Sequence, residues 1–187
     1  EFYLGDVAAD QTGRTPTNLL DALPHYQRVA NEMPNSPLNP SAWGRMGDCH
    51  LQLGNLDSAA EAYRTVTELP SADVTTRSQA GLGMAHVLDK LAEAAGETEE
   101  REKLRKRSLE QCMEIVFGGN LRSANEKLDP FWVKEAGLMA GRLAGRLGRA
   151  EQERKVYSRL AKELPGMPLW QAKLDALRVK QETPKKP

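Results

Sequence analysis

The sequence predicts an all-α fold: an α-solenoid of about four helical hairpins, closed by one C-terminal capping helix. Three observations predict it. A phrase of small, aromatic and apolar residues recurs along the chain at near-constant spacing, most fully over residues 43 to 70. The 187 residues are 40% hydrophobic but only 5% aromatic, with 28% charged, which is a helical composition whose core draws on Leu, Ala, Val and Met. Pro and Gly, finally, fall where helices of that length should start and stop.

Taken in order, the first hairpin spans about residues 1 to 34. YLGDVAA at 3 to 9 supplies its first helix with Leu4-Gly5, and LLDALPHYQRVANEMP at 19 to 34 supplies its second with Ala22, Tyr26 and Pro34. DQTGRTPTN between them reads as a loop from its Gly, Pro and Thr content. In the second hairpin, about 40 to 70, Asn39 before Pro40 suits an N-cap followed by proline in the first turn. Its first helix runs from about Pro40 to Leu53, the turn sits at Gly54-Asn55, and the second helix covers about Asp57 to Leu69. Gly47 and Ala59 are small because the two helices cross closely there.

The third hairpin, about 74 to 118, carries LGMAHVLD at 82 to 89, which aligns with MGDCHLQL at 46 to 53. That alignment sets Gly83 over Gly47 and His86 over His50, 36 residues apart. An excess of about 22 to 24 residues over one repeat falls within 94 to 117, read as a loop and a long second helix ended by Gly118-Gly119. Leu104, Leu109, Cys112, Met113 and Val116 follow helical spacing there, and Lys103 can pair with Glu99 or Glu100. Its charges suit either a docking surface or a solvated helix face. Residues 120 to 129 are a connector ending in the cap-like Asp129-Pro130. The fourth hairpin, about 130 to 165, repeats the pattern with Gly141, Gly148, Tyr157 and Pro165. Pro168 opens the capping helix, 168 to 181, with Leu169, Ala172, Leu174, Leu177 and Val179 on its apolar face. Residues 1 to 181 thus read as one domain, and 182 to 187 as a disordered tail.

Trp43, Met46, Gly47 and His50, then Ala59 and Tyr63, then Pro70 fill the slots of W-x2-L-G-x2-Y, A-x3-F and P. The segment resembles a tetratricopeptide repeat (TPR). A looser likeness, in MPNSPLNP at 33 to 40 and its surroundings from 22 to 70, is to bacterial cell-envelope TPR proteins of the Tol-Pal accessory and outer-membrane assembly lipoprotein kind. It implies a lean toward the periplasm or cell envelope. The start at Glu1, without Met or a signal-like stretch, suits an excised fragment or a processed form.

Composition and motifs argue against several kinds of chemistry. Lys plus Arg and Asp plus Glu number 26 each, so the basic excess of a nucleic-acid binder is missing. No run of about 18 apolar residues could span a membrane. The chain has neither a P-loop, nor a G-x-S-x-G elbow, nor a nucleophile–base pair, so no enzymatic activity and no cofactor is expected. Glycines at 141, 145 and 148 follow no strand and read as close-packing positions. His50 and His86 could share a metal or act as a pH switch, or each could fill an aromatic-type packing slot; ligation across a helix-to-helix distance of about 8 to 10 Å is too long, so no metal is expected. Cys49 and Cys112 are either a disulfide or two small apolar residues on inner helix faces. Trp43, Trp132 and Trp170 could be ligand platforms, but their repeat-like places at helix starts favour core packing.

What the TPR resemblance implies is a protein-binding scaffold, with partners laid along a concave surface lined by the first helix of each hairpin. Carried over through Gly47, Gly83 and Gly141, the groove residues are Gly44, Asp48, Leu51 and Gln52, then Ala80, Met84, Val87 and Leu88, then Leu138, Arg142, Gly145 and Arg146. Arg142, Arg146 and Arg149 share one face and form a positive stripe for a partner's carboxylates, unless they are solvated or paired with Glu151 and Glu153. Asp48 stands where the chaperone-binding subset of the family carries Asn, so its Lys and Asn clamp is not reproduced. The expected partner is a peptide or helix of another protein, with self-association as the alternative if the stack is a structural spacer.

Overall fold

The computed structural model describes residues 1–10 and 16–182. Its described residues form nine helices and no strand: α1 (Phe2–Asp10), α2 (Pro16–Glu32), α3 (Asn39–Gln52), α4 (Leu56–Glu68), α5 (Val74–Ala94), α6 (Glu99–Phe117), α7 (Pro130–Arg146), α8 (Ala150–Glu163) and α9 (Pro168–Glu182). Each packs on the next, α3 also meets α5, α5 meets α7, and α6 meets α8. First helices of the hairpins therefore line one side of a solenoid and second helices the other. Of the loop expected at 10 to 18, residues 11–15 lie outside the described residues while Asp10 ends α1 and Pro16 opens α2; of the tail expected at 182 to 187, Glu182 ends α9 and residues 183–187 lie outside the described residues.

The hairpins are held by a repeated contact between a glycine and a tyrosine. A Cβ on Gly47 would lie 2.5 Å from the Tyr63 ring, one on Gly5 2.6 Å from the Tyr26 ring, and one on Gly141 2.3 Å from the Tyr157 hydroxyl. Only a residue without a side chain lets the ring or its hydroxyl approach the neighbouring backbone this closely. Burying a tyrosine this way removes most of its apolar surface from water, and Tyr26 and Tyr63 are 1% and 0% exposed.

The third hairpin breaks this pattern. Gly83 packs on Tyr63 of the preceding hairpin, with its Cβ position 2.3 Å from the ring. Gly81 is the residue that faces α6, at 3.3 Å from Ile115, and Ser108 on α6 donates to the Ala85 carbonyl at 2.7 Å. The structural counterpart of Gly47 is thus Gly81, 34 residues on, and the alignment through Gly83 is corrected by two residues. Both helices of this hairpin are also long, 21 and 19 residues against 14 and 13 for α3 and α4. The excess is shared among α5, α6 and the connector 118–129 rather than confined to 94–117.

Local chemistry explains most helix ends. Asp73 accepts from the Thr76 amide, Thr98 from that of Arg101 and Asp129 from that of Phe131, each an N-cap. Gly118 ends α6 in the left-handed conformation at φ 80°, which glycine adopts without steric cost. Asn39 does not cap its own helix. It is 2% exposed and its Nδ2 donates to the Ala30 carbonyl at 2.8 Å, satisfying the C-terminal end of α2.

The connector after α6 is fastened down. Arg77, 4% exposed, donates to the Ala72 and Asn120 carbonyls and pairs with Glu126 at 2.6 Å. Arg122 donates to the Thr67 and Leu69 carbonyls at the end of α4, where a cation also meets the negative end of the helix dipole. At the C-terminus, Trp170 and Leu177 of α9 are 1% and 6% exposed against the α5–α8 core. On α6, Lys103 meets Glu100 at 3.7 Å with both side chains more than half exposed, the mark of a solvated face.

Replacing Gly47 by Ala sets two effects against each other. Helix propensity favours Ala by about 1 kcal/mol, whereas overpacking a closed contact costs about 1 to 3 kcal/mol. Tyr63 is held between Gly47 and Gly83 and has nowhere to move, so Gly47→Ala and Gly83→Ala should each lower the urea midpoint. A raised midpoint would show that the ring is not clamped.

A groove across the first helices

The glycine–tyrosine contact also sets the polar groups beside it. Tyr63 Oη donates to Asp48 Oδ1 at 2.8 Å, and Gln79 Nε2 of α5 donates to Asp48 Oδ2 at 2.7 Å. One hairpin earlier, Tyr26 Oη donates to Asp6 Oδ1 at 2.7 Å, and Arg45 reaches the same oxygen at 3.3 Å. Burial, followed by the neighbouring aspartate, pushes the phenols of Tyr26 and Tyr63 well above the usual tyrosine range. Burial raises Tyr157 as well, with Glu153 adding to it and Arg142 opposing.

Around Asp48 lies an open groove of about 370 Å³, lined by Arg45, Asp48, Leu51 and Gln52 of α3, Gln79 of α5 and Trp132 of α7. A smaller hollow of about 110 Å³ continues from it between α1, α2 and α3, with Asp6, Asp10 and Tyr26 in its wall. Farther along α5, His86 is exposed and has Arg142, Asp89, Lys90 and Asp48 as its charged neighbours. Desolvation, then Arg142, holds this imidazole below its ordinary pKa, so it is neutral near pH 7. Arg146 Nη1 meets Asp89 Oδ2 at 3.6 Å.

Asp48, Leu51 and Gln52 therefore line the groove. Arg142 and Arg146 are exposed on α7 and do not line this groove: Arg142 is a charged neighbour of His86, and Arg146 pairs with Asp89 and lines a separate hollow of about 540 Å³ with Thr98, Arg101, Glu102 and Arg105. Leu138 is half-buried and packs on the α5–α8 core. Two expectations are corrected. Val87 is 1% exposed in the core with Tyr63 and Ala80, so it offers no surface to a partner. Met84 lies in a separate hollow with Tyr63, Arg64, Thr67, Arg107 and Glu110, between α4 and α6 on the opposite side of the solenoid. The cause is the two-residue slip in register, because two residues turn a helix by about 200°. Ala80 and Leu88, 0% and 5% exposed, were displaced by the same slip.

Arg45, Gln79 and Trp132 line the groove and were not assigned to it from the sequence, and His86 lies farther along α5. Arg45 precedes Asp48 by three positions, hence shares its face, and the 34-residue spacing carries Arg45 onto Gln79 and Gln52 onto His86. Trp132 reads from its place at a helix start as core packing rather than a ligand platform, and it does both in part, half-buried against the α5–α8 core with one side lining the groove. His50 and His86 are not equivalent, since His50 is half-buried, with Nδ1 sequestered and unbonded and its pKa lowered by burial. Among the described residues no three His, Cys, Asp or Glu side chains are grouped to hold a metal ion. Cys49 and Cys112 are both free and buried, and burial pushes the Cys112 thiol up to about 12.

The tetratricopeptide repeat profile matches residues 17–73, which is α2 through α4 and the N-cap of α5. No curated protein matches the chain. Residues 17–73 are accordingly similar to tetratricopeptide repeats, and nothing in these comparisons extends to the envelope proteins. No helix among the described residues is long and apolar enough to cross a membrane.

The tyrosines give a pH dependence with a definite sign. Folding raises the pKa of Tyr26, Tyr63 and Tyr157, so their contribution is whole below the unfolded value of about 10 and is lost as pH rises past it. Each such group should cost about 1.4 kcal/mol of stability per pH unit above that point. Urea midpoints between about pH 9 and 11 should fall steeply for the native chain and less steeply for Tyr63→Phe. Equal slopes for the two would contradict the placement of that hydroxyl.

Proposed function

We propose that the protein is a non-catalytic interaction scaffold that holds a peptide or helix of a partner protein along the surface running from Asp48 through Gln79 and His86 to Arg142 and Arg146. The observation that carries this reading is the open groove formed by three successive first helices, with an aromatic wall at Trp132 and amide donors at Gln52 and Gln79. Such a surface suits main-chain hydrogen bonding to an extended segment, with the indole as an apolar anchor. The cationic end supplied by Arg142 and Arg146 favours acidic residues in the segment beside it.

Selection of a random peptide display library on the native chain, with counter-selection on Arg142→Glu/Arg146→Glu, tests this. Selected peptides should carry Asp or Glu, bind through Trp132, and lose at least about tenfold in affinity, or 1.4 kcal/mol, on charge reversal. Recovery of the same peptides by both forms would remove the arginines from the site.

A second reading, self-association of the stack as a spacer in a larger envelope protein, is favoured by one surface. Tyr3, Leu4 and Val7 of α1 and Leu20 of α2 are 73%, 54%, 56% and 55% exposed. Leu4 and Val7 stand at the places of Met46 and Cys49 relative to Gly5 and Gly47, and Met46 and Cys49 bury against α2. A second copy laid on α1 would cover that face. Its test is mass against concentration: a dimer abolished by Leu4→Glu/Val7→Glu supports it, and a monomer at every concentration refutes it.

A further inference from the structure

Hairpins one, two and four share the glycine–tyrosine contact, and the residue after the glycine differs among them in one respect. It is Asp6 in the first, Asp48 in the second and Arg142 in the fourth. In the first two, that aspartate accepts the tyrosine hydroxyl at 2.7 and 2.8 Å. In the fourth, Tyr157 is 4% exposed, yet its hydroxyl bonds to no described residue and lies over Gly141, at 2.3 Å from where a Cβ would stand. Arg142 is exposed and makes neither an ion pair nor a hydrogen bond among the described residues. A phenol whose ring is buried but whose hydroxyl is left to solvent has as its neighbour a guanidinium without an ion pair.

We infer that Arg142 and the Tyr157 hydroxyl form a binding site for a carboxylate of the partner, which takes the place that the Asp6 and Asp48 carboxylates fill in the first two hairpins. The inference rests on the groove-binding reading and names the group that the groove reads at its α7 end. An ionised carboxylate can accept from a phenol and a guanidinium at once, and both bonds are charge-assisted. Neither an amide nor a phenol of a partner offers that combination of charge and acceptor capacity. Neighbouring groups set the strength. Glu153, one turn before Tyr157 on α8, opposes a second carboxylate and adds to the rise in the Tyr157 pKa. His86 is neutral near pH 7, and Asp89 is engaged with Arg146. Lys90 is a second cation beside His86, but Arg142 is the one that neighbours the Tyr157 phenol.

The comparison of hairpins supplies its own controls. Tyr63→Phe removes an internal hydrogen bond and should destabilise the fold, whereas Tyr157→Phe removes none and should leave the urea midpoint unchanged. Arg142→Asp restores the internal acceptor and should raise that midpoint. Acetate, titrated against equal chloride while the Arg142 side-chain Nε–H resonance is followed by NMR, probes the site itself. A saturable shift specific to acetate, weakened at least fivefold in Tyr157→Phe, absent in Arg142→Asp and strengthened in Glu153→Gln, is the expected result. An equal response to chloride, or one indifferent to Tyr157→Phe, would overturn the site. The two failures remain distinct. Library peptides that bind at Trp132 without preferring acidic residues would keep the groove and remove the carboxylate site, while acetate binding without any peptide binding would do the reverse.

Discussion

A tyrosine lying on a glycine of its hairpin partner is the contact on which the rest of this solenoid depends. It fixes the distance between the paired helices, since a β-carbon at Gly47 or Gly141 would meet the ring or its hydroxyl below 3 Å. Fixing that distance also fixes rotation, because the glycine must face the ring. Once the glycine faces inward, the residue after it turns about 100° toward the open side of the solenoid. The position of Asp48 at the groove is thus a consequence of the position of Gly47. A core constraint and a surface position are set by one pair of neighbouring residues.

The third hairpin shows what happens when its second helix brings no tyrosine. Ser108, Cys112 and Ile115 face α5 instead, and they are too small to reach as Tyr63 does. The helices are longer, the connector is held by Arg77 and Arg122, and Gly83 turns to accept the ring of Tyr63 from the hairpin before. Tyr63 therefore clamps two hairpins together. The buried guanidinium of Arg77 is no extra source of stability, since desolvating it costs about what its bonds return. Its effect is to hold residues 118 to 129 in one arrangement across the start of α5.

Helices, turns and hairpin order were legible because they rest on local chemistry. Asp129 before Pro130, Gly118 after α6 and the Gly–Tyr spacing each speak through residues close in sequence. Register within α5 was not legible in the same way. Leu82-Gly83 copies Met46-Gly47 better than Ala80-Gly81 does, and only the ring of Tyr63, twenty residues upstream, shows which glycine faces which neighbour. That long-range contact moved Met84 to the far side of the solenoid and Val87 into the core. The role of Asn39 was hidden for a like reason. An asparagine before a proline signals a helix start, but its partners are carbonyls at the end of the previous helix.

Asp48 illustrates how a surface residue in a repeat can be committed to the fold. Both its oxygens are engaged, one by Tyr63 and one by Gln79, so a partner's cation would have to compete with two bonds already made. Each is worth about 1.5 to 3 kcal/mol because the acceptor is charged. Arg142 occupies the corresponding position with neither bond. A repeat protein can therefore differentiate its hairpins at one slot without altering the packing beneath, since the glycine that precedes the slot carries the structural requirement. In the first two hairpins the slot serves the interior. In the fourth the same backbone position is released from that task, and its side chain is exposed.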